Sequence, residues 1–325
     1  MDDLLKYEVK RRITLDFQLD DGHIIKTAPP PFGGIIVETI LNILQGFNFT
    51  QKDLNSDESS ALMFHRIIEA MKFGFAKRSM FGDPDFMNQT FLVSLVQNLT
   101  NREYGEDLNK RILNQTQEED YYGPEFVAKE DHGTTHISIL AADGSAVSIT
   151  NSINIWFGSG YRSTKTGIVY NNHIDDFSIE NRTNAFLLKP SHRNNIQAFK
   201  RPMSSMSPLM ITKDDKLKMI LGGSGGTRII SSVASVIIYK IWFDLSLKQA
   251  IFQPRVHHQL TPNKAVIEKK YPLNKNIVQI LKKIYKHEIG FTSLPEYSSV
   301  QAVYIENGEI FGKSDPRKYG IEAGY

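Results

Sequence analysis

The chain has 325 residues, of which 41% are hydrophobic and 23% are charged, with a formal net charge of +2 and no cysteine. This composition is typical of a folded protein with one large core or two ordinary ones, and it excludes a disordered tail. The small net charge offers no concentrated basic field, so we predict no nucleic-acid partner. A chain without cysteine leaves the redox compartment undecided.

The first part of the chain has the pattern of strands followed by a helix. Residues 1–28 alternate weakly between charged and apolar positions, which predicts strands with a turn at residues 20–22. Residues 28–34 are rich in proline and cannot be helical. The apolar run at 35–44 predicts a helix that ends near Gly46.

Two further helical patterns follow before the chain becomes polar. Residues 56–78 carry apolar side chains at helical spacing, and the pattern remains helical over residues 91–117. Residues 118–132 are polar and contain glycine and proline, which predicts an exposed loop.

The pattern changes from helices to strands after this loop. Residues 135–141 and 146–150 flank Asp143 and Gly144, a strong signal for a hairpin. Residues 216–221 predict another strand.

The glycines at 222–226 follow that strand and precede a predicted helix at 227–242. Such glycines leave backbone N–H groups at a helix start free to face an anion. The sequence Gly226-Thr227-Arg228 lacks the lysine of a P-loop, so a nucleotide site is not favoured over a structural turn.

The longer apolar and basic stretches indicate buried and solvated helix faces. Residues 229–243 are too short and too polar to span a bilayer, so we predict a buried helix there. Residues 269–286 predict a helix with a solvated basic face. The nine histidines show no ligand spacing, and His257 and His258 are adjacent and would point in opposite directions on a strand; we predict no metal site.

The segment Asp131-His132-Gly133-Thr134-Thr135-His136 suggests a chain that cuts itself before Thr134. A cleaved Thr134 would carry both a hydroxyl nucleophile and its own α-amine, whose ordinary pKa of about 7.7–8.0 suits a base at neutral pH. An exposed loop that ends at Gly133 is a suitable place for such a cut.

Five sequons conflict with the start of the chain. The acceptor asparagines of the sequons are Asn48, Asn88, Asn98, Asn114 and Asn181. The first residues are acidic and contain no apolar signal segment. Either the protein is cytosolic and the sequons are idle, or Met1 is not the true start.

Taken in order, these segments resemble the γ-glutamyltransferase family (γ-glutamyltranspeptidase, glutathione hydrolase) over the whole chain. The segments similar to its small subunit are 134–154, 167–177, 201–208 (which includes Met203-Ser204-Ser205-Met206), 225–227, 254–259 and 322–325. Residues 42–48 and 65–84 resemble the C-terminal part of its large subunit. The resemblance implies a division into 1–133 and 134–325, with cleavage between Gly133 and Thr134.

The resemblance also implies a fold and an activity. The fold would be α+β, an N-terminal-nucleophile hydrolase with a four-layer αββα sandwich, whose first part belongs to a large-subunit segment not represented here. The activity would be cleavage of glutathione and other γ-glutamyl compounds through a γ-glutamyl-Thr134 acyl-enzyme, with transfer to water or to an amino acid or dipeptide acceptor. The resemblance implies no cofactor, and it implies a heterodimer of the two cleavage products. The protein would be extracellular or anchored on the outer side of the plasma membrane.

Specific residues receive roles from the same resemblance. The implied catalytic set is Thr134, Ser152, Gly225 and Gly226, in which the two glycine N–H groups form the oxyanion hole. The implied substrate-binding set is Asn154, His173 and Asp176 around the α-ammonium, and Ser204 and Ser205 at the α-carboxylate.

The chain departs from the family pattern at three points, and two of them, His173 and a missing arginine, favour an alternative. Ser152 replaces a threonine, His173 replaces a glutamate or glutamine, and the upstream arginine that pairs with the α-carboxylate is missing. The alternative function is that of a catalytically impaired or inactive secreted paralogue that acts by binding.

Overall fold

A computed structural model describes residues 5–126, 134–178, 190–292 and 297–324. Its α-helices are α1 (Gly34–Leu44), α2 (Asp57–Arg78), α3 (Gln89–Thr100), α4 (Arg102–Lys110), α5 (Arg228–Ile237), α6 (Leu247–Phe252) and α7 (Lys275–Lys283). Its strands are β1 (Leu15–Gln18), β2 (Ile24–Thr27), β3 (Thr134–Leu140), β4 (Ala146–Ser152), β5 (Leu209–Lys213), β6 (Lys216–Ser224), β7 (Val256–His257), β8 (Ala265–Glu268), β9 (Ile289–Thr292), β10 (Ser299–Glu306) and β11 (Glu309–Lys313).

The strands form three sheets. The largest is fully antiparallel with the order β1-β2-β5-β6-β10-β11. β3 and β4 form a separate hairpin, and β7, β8 and β9 form a small mixed sheet. The predicted hairpin around Gly144, where φ is +86°, is confirmed, as is the turn at Gly22 between β1 and β2.

The central strand β6 separates two differently packed faces. Met219 and Leu221 belong to the main core with the helices, and α5 packs against β6 and β10. The alternate residues Ile220 and Gly222 point to the other face, where the β3–β4 hairpin stacks on β6. The described residues therefore form a helical layer, a six-stranded sheet and a two-stranded hairpin, in that order.

The outer face of the hairpin is apolar and exposed. Ile137 and Ile139 on β3, with Val147 and Ile149 on β4, are each about half exposed. The inner face carries polar side chains such as Ser138 and Ser148, which donate hydrogen bonds to carbonyls of the six-stranded sheet. The fourth layer of the expected sandwich is not formed by the residues that the structure describes.

Of the three helices predicted before residue 118, two are confirmed and the third is divided. α1 and α2 match the predicted ranges closely, and Ser56 caps α2 by accepting a hydrogen bond from the backbone N–H of Ser59. The predicted continuous helix at 91–117 is instead two helices, because Asn101 ends α3 and its side chain caps α4. Asparagine favours caps over helix interiors since it competes with the backbone for hydrogen bonds.

The apolar stretch at 229–243 is a buried helix, as predicted. α5 is followed by a π-helical turn, Ile238–Trp242, and most of both segments is buried. Within the described ranges, no helix is both long and apolar enough to cross a bilayer. The basic stretch near the C-terminus contains α7, which is shorter than predicted and buries Ile277, Val278 and Leu281.

Candidate active site at Thr134

Thr134 is the first residue of β3 and lies opposite Ser152 in the hairpin register. Its hydroxyl donates to the hydroxyl of Ser152 at 3.4 Å, and Ser152 Oγ also accepts from the backbone N–H of Asn154 at 2.9 Å. Residues 131–133, which contribute to the predicted cleavage site, lie outside the described residues. The hydroxyls of Thr134 and Ser152 are thus brought together, as the resemblance implies.

His136 fixes the start of β3 on the six-stranded sheet. Its Nδ1 lies 2.8 Å from Thr150 Oγ1 and its Nε2 lies 3.0 Å from Ser138 Oγ. Burial lowers the pKa of His136 from 6.5 to about 4, so the ring is neutral at physiological pH. A Cβ on Gly222 would approach the ring to 2.3 Å, so only glycine allows this close stacking. His136 therefore holds the hairpin in one position on the six-stranded sheet, at a point two residues from Thr134.

The three predicted ammonium-side residues form one cluster behind Ser152. Asn154 is 3% exposed, and its side-chain amide lies 3.4 Å from the carbonyl of Asn172. His173 Nδ1 lies 2.7 Å from Asp176 Oδ2, and His173 Nε2 lies 3.2 Å from the carbonyl of Ser152. The cluster supplies a carboxylate and amide and carbonyl oxygens, which are suitable acceptors for an ammonium group.

Asn194, which belongs to none of the sequence motifs, joins this cluster to the serine segment. Its side-chain amide donates to the carbonyl of Asp176 at 2.8 Å, and its Oδ1 accepts from the N–H of Met203 at 3.0 Å. Asn194 is buried. A single side chain therefore sets the spacing between Asp176 and the segment that contains Ser204.

The two predicted carboxylate-side serines differ in their environments. Ser204 is half-buried, and its N–H donates to the carbonyl of Pro31 at 3.0 Å. Ser205 is fully buried, and its hydroxyl accepts from Nη2 of the buried Arg78 at 2.8 Å. Arg78 was missed from sequence, and its position at the end of α2 brings a guanidinium to the serine pair.

Gly225 and Gly226 form the turn between β6 and α5. Their φ angles are +123° and +62°, and a Cβ on Gly225 would lie 2.7 Å from Cα of Ser298. This turn directly follows β6, the strand on which the β3–β4 hairpin stacks, and Thr134 is the first residue of that hairpin. The strand, glycine turn and helix predicted for an oxyanion site are present.

Lys318 adds a positive charge next to this turn. Its Nζ donates at 3.2 Å to Ser224 Oγ, and Ser224 directly precedes Gly225. Burial lowers the pKa of Lys318 from 10.5 to about 8. The position of Lys318 could not be predicted from the sequence, because its contact with Ser224 joins residues far apart in the chain.

A separate cluster of potential metal ligands lies in the helical layer. It consists of His65, Glu69 and His287, all of them buried. His65 Nε2 lies 2.8 Å from the carbonyl of Leu113 and Nδ1 lies 2.8 Å from His287 Nε2, so the two rings share a proton between these nitrogens. The ammonium of Lys72 lies 4.0 Å from Glu69. This geometry favours a hydrogen-bonded network over a metal site, since nearby Lys72 would repel a cation.

A family model described as Gamma-glutamyltranspeptidase matches residues 1–325. The chain belongs to this family. Glutathione hydrolase proenzyme 2 of Schizosaccharomyces pombe is 37% identical over 308 residues, which cover 94% of this chain and 49% of that protein. The gamma-glutamyltranspeptidase family resemblance inferred from the motifs is thus confirmed, and the chain spans about half the length of the curated relatives it matches.

Solved structures support the same fold. A highly active mutant of gamma-glutamyltranspeptidase from Pseudomonas nitroreducens is 34% identical with a TM-score of 0.54, over 59% of this chain and 98% of that chain. Cephalosporin acylase from Bacillus halodurans has a TM-score of 0.77 at 24% identity, over 97% of this chain and 53% of that chain, and shows the fold alone. The α+β, N-terminal-nucleophile hydrolase assignment is confirmed, whereas the roles of individual residues stay predictions.

Proposed function

We propose that the protein cleaves glutathione and other γ-glutamyl compounds through a γ-glutamyl ester on Thr134. The observation that carries this proposal is the position of Thr134 at the start of β3, next to Ser152, whose carbonyl contacts His173 of the His173–Asp176 pair. A nucleophile and a cluster of ammonium acceptors are thereby held on one short hairpin and the turn beside it.

The reaction begins with Thr134 Oγ attacking the γ-carbonyl carbon of the donor. The hydroxyl proton moves to the α-amine of Thr134 and then to the departing amine as the C–N bond breaks. The N–H groups of Gly225 and Gly226 stabilise the oxyanion, and Lys318 adds positive potential behind them. Water or the amine of an amino acid or dipeptide then attacks the ester and releases glutamate or a new γ-glutamyl amide.

This reaction requires a free α-amine on Thr134, so the proposal includes autocleavage after Gly133 and a heterodimer of the two products. The relative from Schizosaccharomyces pombe is named a proenzyme. The match to the solved chain from Pseudomonas nitroreducens covers 98% of that chain and 59% of this one. Residues 134–325 also make up 59% of this chain. Both observations support a cut at this position.

The test replaces Thr134 with alanine and uses Thr135→Ala as its matched control. Thr135 is the next residue, has the same side chain and is exposed. Thr134→Ala should abolish glutamate release from a γ-glutamyl anilide and also leave the chain uncut on mass spectrometry. Thr135→Ala should retain both. Cleavage in the Thr134→Ala variant would contradict the proposal.

The alternative is an inactive paralogue that binds a γ-glutamyl ligand. The observation that favours it is that His173 already contacts Asp176, the residue proposed to hold the donor ammonium. Peptide mapping of the protein from its own tissue separates the two functions. A fragment that begins at Thr134 supports the enzyme, whereas a single uncut chain together with glutamate binding supports the paralogue.

We further propose that the protein is extracellular, or anchored on the outer side of the plasma membrane, and carries N-linked glycans. Four of the sequon asparagines, Asn48, Asn88, Asn98 and Asn114, are exposed, which supports access for a glycan. Asn181 lies outside the described residues. A mass decrease after N-glycosidase treatment of the native protein tests the proposal, and an unchanged mass contradicts it.

A further inference from the structure

The contacts of His173 place the imidazole between two groups that only accept hydrogen bonds. Nδ1 lies 2.7 Å from a carboxylate oxygen of Asp176, and Nε2 lies 3.2 Å from the carbonyl oxygen of Ser152. A neutral imidazole has one N–H donor, so it can satisfy only one of these two contacts. An imidazolium donates to both, which makes the charged ring the form that fits this geometry.

The surroundings of the ring favour the same form. The acidic neighbours on its own turn are Asp175 and Asp176, and the Asp176 side chain is only 10% exposed. Among the described residues that contact it, the Ser152 carbonyl from β4 and Asn171 Oδ1, which accepts from the His173 backbone N–H at 3.0 Å, are uncharged. The segment around Asn194 contributes an amide to the Asp176 carbonyl. The imidazole of His173 therefore occupies the position beside the partly buried Asp176 carboxylate.

The proposed function requires Asp176 to receive a different cation, the α-ammonium of the γ-glutamyl donor. Two cations at one partly buried carboxylate repel each other, and the repulsion is stronger there than in bulk water. A glutamine or glutamate at position 173 would create no such competition, because neither residue carries a positive charge.

We propose that the imidazolium of His173 is an internal competitor for the ammonium-binding site, so that donor binding requires loss of the His173 proton or displacement of the ring. The inference rests on the proposed function of Asp176. It makes His173 a specificity-determining residue whose charge sets the pH range in which a donor with a free α-ammonium is bound.

The test measures KM for a γ-glutamyl anilide and Kd for L-glutamate between about pH 5.5 and pH 8.5, where imidazole ordinarily titrates. In the wild-type processed protein both constants should rise as the pH falls, approaching tenfold per pH unit for one linked proton. His173→Gln should lack this phase. His192→Gln is the matched control, because His192 is an exposed histidine in a neighbouring turn, and it should keep the phase.

Two further measurements separate this linkage from a structural effect. The Cε1 proton resonance of His173, identified by its loss in His173→Gln, should move towards the neutral form when L-glutamate is added near pH 6.5. Glutarate, which lacks the α-ammonium, should not move it. A general loosening of the turn by the substitution would not reproduce this difference between the two ligands.

The outcomes distinguish the inference from the proposed function. If the protein releases glutamate but wild type and His173→Gln share one pH dependence, the competition is overturned and the proposed function stands. If neither glutamate binding nor glutamate release occurs at any pH in this range, both are overturned. A phase that is lost in His173→Gln and kept in His192→Gln, with a glutamate-specific resonance shift, supports the competition.

Discussion

The guanidinium of Arg78 donates a 2.8 Å hydrogen bond to the hydroxyl of Ser205, and both side chains are buried. Arg78 ends α2, whereas Ser205 lies in the segment before β5, so the contact joins the helical layer to the proposed carboxylate-binding serines. The contact with Arg78 therefore fixes the position of the Ser205 hydroxyl.

We expect Ser205→Ala to lower the free energy of unfolding by about 1–3 kcal/mol, since it removes an acceptor from a buried guanidinium. Ser204→Ala is the matched control, because Ser204 is half-buried and adjacent, and we expect a smaller loss. Chemical denaturation measures both. Equal losses in the two variants would show that the contact with Arg78 does not contribute to stability.

Gly222→Ala should displace the hairpin that carries Thr134. The added Cβ would lie 2.3 Å from the His136 ring, and this ring is held by Thr150 and Ser138. We expect a loss of stability of about 1–3 kcal/mol, as for other overpacked interiors, and a large loss of autocleavage. Both effects follow from the same clash, because Thr134 is two residues from His136.

The control for this variant is Gly312→Ala. Gly312 lies in β11, and a Cβ there would meet its nearest atom at 3.7 Å, an ordinary contact. Thermal unfolding and the fraction of cleaved chain, measured by mass spectrometry, check both variants. A Gly222→Ala protein with normal stability and cleavage would contradict the proposed close stacking.

Glu38 on α1 should make the protein less stable as the pH rises. Neither carboxylate oxygen has a hydrogen-bond partner among the described residues, and burial, followed by the charge of Asp16, raises the pKa of Glu38 well above 4.5. The native state therefore keeps a proton that the unfolded chain releases above about pH 4.5. Stability is full below that pH and is lost as the pH rises through the native pKa, by up to about 1.4 kcal/mol per pH unit.

Glu38→Gln removes the ionisation and should flatten this part of the pH profile. Glu309→Gln is the control, since Glu309 is exposed on β11. Denaturant unfolding at a series of pH values measures the slope for each protein. The same slope in Glu38→Gln and wild type would rule out Glu38 as its source.

The buried histidines of the helical layer should cause the opposite dependence in acid. Burial lowers the pKa of His65 from 6.5 to about 4 and, followed by the effect of His65, lowers the pKa of His287 to about 2. Burial, followed by the charge of Lys72, also lowers the pKa of His258 well below 6.5. The unfolded chain binds these protons near pH 6.5 while the native state does not. Stability is therefore full above about pH 6.5 and falls as the pH decreases towards 4.

His287→Gln tests this group because glutamine can still donate to His65 Nδ1. We expect the free energy of unfolding to depend less steeply on pH in acid, by about 1.4 kcal/mol per pH unit, because one proton fewer is taken up on unfolding. His192→Gln should leave it unchanged, since His192 is exposed. Urea unfolding between about pH 4.5 and pH 7 measures the slopes, and an unchanged slope in His287→Gln would contradict the assignment.

Local patterns and long-range contacts differed in how well the sequence predicted them. The β3–β4 hairpin and α2 were predictable, because Asp143-Gly144 and the spacing of apolar residues act within a few positions. The break at Asn101 also had a local signal, a capping residue, which the continuous helical pattern concealed. Asn194 and Arg78 could not be predicted, since their partners lie at distant positions in the chain.

The candidate site shows the same division. Periodicity placed the glycines between a strand and a helix, but the roles of Asn154, Asp176 and Ser204 came from the family resemblance. The pairing of His173 with Asp176 depends on the fold of a short 3-10 turn and on the end of β4. A local sequence pattern predicts neither the orientation of the His173 ring nor its contact with the Ser152 carbonyl.

Lys318 should give the proposed reaction a decline at alkaline pH. Its Nζ contacts Ser224 beside the proposed oxyanion turn, and burial lowers the pKa of Lys318 to about 8. The positive charge that favours the oxyanion is present below this pH and is lost above it. The proposed base, the α-amine of Thr134, would become active as the pH rises through about 7.7–8.0, so kcat/KM should pass through a maximum near pH 8.

Lys318→Met should lower the maximal kcat/KM and reduce the alkaline decline to the part that deprotonation of the donor's own α-ammonium causes. We expect a loss of about tenfold, smaller than the ~10²–10³ for a direct oxyanion donor, since Lys318 acts through Ser224. Lys216→Met is the matched control, because Lys216 is exposed at the start of the same strand β6. Rates of glutamate release from a γ-glutamyl anilide between about pH 6 and pH 10 check both variants. An alkaline decline as steep in Lys318→Met as in the wild type would assign it to another group, since the charge at position 318 would then be absent throughout.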